Sequence, residues 1–107
     1  MSQIGGYPEP KPEDLPVYKQ QFKEGLNLFQ QALEEYQKSE EFHQKNSFKE
    51  VMDKALNVLN ETAIVVLKKK SSVEGQFEKD YKIFIHDASD ENYAQLKKDL
   101  DKLQHLV

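Results

Sequence analysis

The residues best suited to chemistry in this sequence are three histidines and the acids around them. Glu40-Glu-Phe-His43 has the Glu-x-x-His spacing with which helical bundles hold a pair of iron ions. Residues three apart share one face of a helix, so both side chains can reach one ion. A complete centre needs a second Glu-x-x-His and carboxylates from two further helices. That second copy is missing, because Ile83 and Lys102 stand three residues before His86 and His105. Asp87, Ser89 and Glu91 alternate like the start of a calcium loop. The loop's glycine and closing glutamate are replaced by Asn92 and Lys98. Lys68-Lys69-Lys70 offers only a small positive field for phosphate or anionic lipid, and a solvated helix end is the better account of it. Asn60-Glu-Thr62 is a glycosylation sequon, but it falls inside an expected helix. There is no glycine-rich phosphate loop, and no nucleophile, base and orienting partner can be assembled from the order of residues. The expectation is a chain without enzymatic activity, bound cofactor or metal.

Composition narrows the class further. The chain has 107 residues, 37% hydrophobic and 32% charged, with a net charge of -4. That length suits one domain with a thin core. Mild acidity disfavours nucleic acid and anionic lipid surfaces, which carry the same sign of charge. With no cysteine, disulfides and thiolate metal sites are excluded. Met1-Ser2-Gln3-Ile4-Gly5-Gly6 lacks the basic and apolar regions of a signal peptide. The longest apolar run, Ala63 to Leu67, is far short of the ~20 residues of a membrane span. A cytoplasmic protein is therefore expected.

The elements that would position these residues are helices. Residues 1–14 hold three of the four prolines, including Pro8-Glu-Pro-Lys-Pro12, and read as an extended arm. Residues 15–107 read as the folded domain. Asp14 is a candidate N-cap, with Pro16 in the first turn. Leu15, Tyr18, Phe22, Leu26, Phe29, Leu33 and Tyr36 recur at steps of three and four, within a stripe of about 80°. Gly25 lies beside this stripe, where a missing side chain lets another helix approach. The first helix ends between Lys38 and Asn46.

Ser47-Phe-Lys-Glu50 matches a capping box and sets the expected start of helix 2. Its apolar residues, from Phe48 to Leu67, cover roughly 200° of the wheel, so this helix needs neighbours on two sides. It is expected to be the central element. Lys68–Lys70 suit its C-terminus, where the dipole is negative. Ser71-Ser-Val-Glu74 repeats the capping-box pattern and opens helix 3, with Val73, Phe77, Tyr81, Phe84 and Ile85 inward; the alternative is one long helix through Ser71 and Ser72, which neither glycine nor proline interrupts. Asp87-Ala-Ser-Asp90 reads as a turn, with Ser89 or Asp90 capping helix 4. Short connections imply antiparallel neighbours. The expected fold is all-α: an antiparallel three- or four-helix up-and-down bundle with a Pro-rich N-terminal arm.

In size and fold class the chain resembles the histidine phosphotransfer bundles. Their motif has a lysine three residues after the histidine, whereas Lys45 follows His43 by two. His86 is followed by Asp87, whose charge repels phosphate. Phe22–Leu33 looks like one helix of a tetratricopeptide hairpin, but helix 1 is longer and unrepeated. The small helical-hairpin secretion substrates share its size, yet their Trp-x-Gly turn needs a tryptophan that this chain lacks.

Surface remains. Val51, Val58 and Val65 are spaced by seven along one edge of helix 2. Val17 and Leu28 share a line on helix 1, roughly 100° or more from its main stripe. These five residues are the candidate partner-binding positions. They suit a helix of another protein, or a second copy of this chain. The reading is a helical interaction module acting as an adaptor, chaperone-like protein or assembly factor. The alternatives are a phosphotransfer module, or a carrier holding an apolar ligand in the bundle core.

Overall fold

The computed structural model describes residues 14–107. The expected arm lies outside the described residues, apart from Asp14. Four α-helices follow in order: α1 (Leu15–Lys38), α2 (Phe42–Leu67), α3 (Ser71–His86) and α4 (Asp90–Leu106). A single 3-10 turn, Lys68–Lys70, joins α2 to α3. The described residues contain no strand. The fold is the expected antiparallel bundle, with four helices.

Contacts between helices fix the topology. Gly25 on α1 packs against Leu59 and Ala55 of α2, and Lys45 at the start of α2 donates to the Tyr36 carbonyl at 2.7 Å. These two helices are therefore antiparallel. Tyr81 of α3 reaches Asp53 of α2 at 2.7 Å, and Asn60 faces Glu78 at 3.3 Å, so α3 turns back along α2. Lys97 and Gln104 of α4 bond to Glu34 and Gln30 of α1, closing the ring of four. The end of α4 lies beside Lys23, Leu26 and Asn27, so the first two turns of α1 extend past it.

Helix starts differ in detail from the sequence pattern. The Asp14 side chain makes no cap hydrogen bond, and the proline in the first turn, which lacks an amide donor, leaves one fewer group to cap. Helix α2 starts six residues before Phe48. Glu41 caps it, accepting from the His43 and Gln44 amides at 3.0 and 2.9 Å. Ser47 is inside the helix and donates back to the His43 carbonyl at 3.1 Å, the ordinary resting place of a mid-helix serine. The second predicted box fails too. Lys70 occupies the N-cap position of α3, no side chain caps it, and Glu74 is buried instead. The break between α2 and α3 lies in the lysines, where Lys68 takes a positive φ of 54°. Ser89 caps α4 as expected, accepting from the Asn92 amide at 3.2 Å. Ser89→Ala should cost about 1 kcal/mol, read as a lower urea midpoint.

The core draws on all four helices. Phe22, Phe29 and Leu33 of α1 are fully buried, as are Met52 and Leu59 of α2, Phe77 and Phe84 of α3, and Leu96 and Leu103 of α4. Helix α2 is flanked on two sides, by α1 and α3, as its wide apolar arc requires. It is not uniquely central. Phe29 of α1 crosses the bundle and meets Phe77 and Tyr81 edge-on, with ring centroids 4.8 and 5.1 Å apart. No described helix is long and apolar enough to cross a membrane.

Candidate interaction surface

The outer face of the α1–α2 hairpin is the candidate site. Its shape follows from two small residues. Gly25 and Ala55 are both buried where the helices touch. A Cβ on Gly25 would come 3.1 Å from a Leu59 methyl, so only glycine permits this approach without displacement. Outside that contact the two helices leave a groove of about 420 Å³. Leu28, Lys54, Val58 and Glu61 are among its walls.

The five sequence-derived positions fall as follows. Val17 is 56% exposed and Leu28 45%. Val51, Val58 and Val65 are half-buried, and Val51 also rests on the core. The groove joins Leu28 to Val58. Val51 and Val65 lie one heptad to either side of Val58 on the same edge of α2, and Val17 shares the α1 line of Leu28. Lys54 and Glu61 are exposed between the valines, and neither forms an ion pair with a described residue.

The residues singled out for chemistry do not assemble. His43, His86 and His105 are all exposed, near the start of α2, at the end of α3 and near the end of α4. Among the described residues the polar partner of the His105 ring is Asp101, one turn earlier on its own helix. Among the described residues no group of three or more metal-binding side chains converges. Lys68–Lys70 are exposed at the α2–α3 break.

Two buried acids were not anticipated as special. Glu74 is 6% exposed in the α2–α3 seam. Burial, and then the charge of Glu78, push its carboxyl up to about 7. The Asn60 side-chain amide meets the Glu74 carboxyl across this seam. Asp99 is 3% exposed in the α3–α4 seam. Burial first, then contact with Asp80, push its carboxyl up to about 6, against the opposing pull of Gln95 and Lys102. Gln95 donates to Asp99 Oδ1 at 3.1 Å, and Asp99 Oδ2 is buried with no partner among the described residues. A proton on Asp99 turns its contact with Asp80 from repulsion into a hydrogen bond.

Spacing carried a signal for both. Glu74 stands three before Phe77 and seven before Tyr81, on the seam of α3. Asp99 stands three after Leu96 and beside Leu100. Tyr81 is a third buried polar group. Its hydroxyl donates to Asp53, which also takes Lys49 at 2.9 Å, and burial holds the phenol far above its usual range. This network ties α3 to α2 and leaves Tyr81 neutral.

No protein-family model matches the chain, and no curated protein or solved structure shows significant similarity to it.

Proposed function

We propose that this chain is a non-enzymatic protein-interaction module that works by helix packing on the outer face of its α1–α2 hairpin. One observation carries the reading. Exposed Leu28 and half-buried Val58 line a groove floored by Gly25 and Ala55, on a face no other described helix covers. Apolar side chains grouped at a groove mark a surface that gains by meeting another apolar surface. A helix fits the groove because its side-chain ridges match the spacing of the two helices that form it. The polar rim of Gln21, Glu24, Lys54 and Glu61 suits a contact that forms and dissolves, since a permanent interface has a more apolar border.

The test compares capture by the wild-type chain with capture by Leu28→Glu and Val58→Glu variants, using extracts of the source cells. Both positions reach solvent, so circular dichroism should show the fold retained. The expected result is a protein held by the wild type and lost from both variants. Capture equal in all three would contradict the reading.

A further inference from the structure

We propose that the occupant of this face is a second copy of the chain, docked antiparallel with the two α2 helices meeting at Val58. The proposal rests on the interaction reading above and names its partner. Its ground is a mirror in the sequence of α2. Val51 and Val65 lie seven residues either side of Val58, all three half-buried on one edge. A two-fold axis at Val58 brings Val51 of one copy onto Val65 of the other and Val58 onto itself. A self-complementary face of this kind is what a two-fold dimer requires.

Charge selects the same arrangement. Lys54 precedes Val58 by four residues and Glu61 follows it by three, on the same side of the stripe. They are about 10 Å apart along their own helix, too far to pair within one chain. Antiparallel docking brings Lys54 of each copy beside Glu61 of the other, so two ion pairs form about one axis. Parallel two-fold docking would put the two Lys54 side chains, and likewise the two Glu61 side chains, on opposite flanks of the seam, and would form neither ion pair. Both side chains are exposed and without an ion-pair partner among the described residues.

The stripe drifts about 20° per heptad on a straight helix, and a slight left-handed supercoil restores it. Gly25 and Ala55 lower the surface on the α1 side, leaving room for Val58 of the second copy at the seam, with Leu28 beside it. Three half-buried valines make a small apolar centre. The dimer should be weak, with a Kd of the order of tens of micromolar.

Analytical ultracentrifugation of the full chain tests this with a charge swap. The wild-type mass should climb from 12.5 kDa towards twice that value as concentration rises through the micromolar range. Lys54→Glu alone and Glu61→Lys alone should each weaken the dimer at least about tenfold. An equimolar mixture of the two variants should regain it, because every Lys–Glu pair across the axis is restored. A wild type that stays monomeric to about 1 mM would overturn the proposal. So would single variants that dimerise as the wild type does, or a mixture that fails to recover. If the wild type is monomeric yet Val58→Glu still abolishes capture from extract, the partner is a different protein. The interaction reading then stands and the self-association falls. Failure in both experiments removes both.

Discussion

Phe29→Ala should lower the unfolding free energy by about 3–5 kcal/mol, the largest loss expected of any single truncation in this bundle. Phe29 is fully buried and touches rings from the opposite helix at 4.8 and 5.1 Å. Removing it opens a cavity that four helices would have to close at once, and it deletes two edge-to-face contacts besides. A domain of this size has only about 5–10 kcal/mol to lose. Urea unfolding checks the result: the midpoint should fall sharply while the slope stays unchanged. Leu28→Ala, one residue away on the exposed side, should change stability by less than about 1 kcal/mol. Similar losses at both positions would show that α1 does not present the faces described.

The second large effect is a dependence of stability on pH that runs opposite to the usual acid denaturation. Glu74 is pushed from 4.5 up to about 7 and Asp99 from 3.8 up to about 6. Between those limits the folded chain keeps protons that the unfolded chain has released. Stability must then fall as pH rises from about 4 to 7, and level off above. Ionisation of each acid should cost about 3 kcal/mol. Glu74→Gln and Asp99→Asn keep the shape and cannot ionise. Each should stabilise the protein by about that amount at pH 8, leave it nearly unchanged at pH 4.5, and flatten the profile in between. Glu34 acts in the other direction. Lys97 holds its carboxyl below the ordinary range, so its small contribution is lost only in stronger acid. Urea midpoints at pH 5 and pH 8 decide the matter. A wild type more stable at pH 8, or amide variants destabilised there, would contradict the placement of these acids.

Much of this architecture was legible because apolar periodicity reports burial directly. Apart from Leu15, the α1 residues at steps of three and four lie in the core or pack against it. The wide arc of α2 required its two flanking helices, and Gly25 marked a close approach of α1 to α2. Capping patterns were less informative. Ser47-x-x-Glu50 has the form of a helix start, but Glu41 offers a charged acceptor two and three residues before free amides, and the helix begins there. Ser71-x-x-Glu74 failed for a related reason. A short-range pattern cannot tell a glutamate that reaches back to a cap from one that faces a neighbouring helix, and Glu74 faces α2. The candidate surface was legible as two separate lines of apolar residues. Their meeting at one groove depends on the rotation of α1 against α2, which the close contact at Gly25 sets and neither line encodes alone.

A photo-activatable cross-linking side chain placed at position 58, and separately at position 83, tests the central claim in the source cells. Val58 lies in the α1–α2 groove, and Ile83, 53% exposed, lies on α3, away from it. Irradiation should yield a discrete protein adduct from position 58, at twice the chain mass if the partner is a second copy, and none from position 83. An adduct from position 83 with none from position 58 would contradict the account.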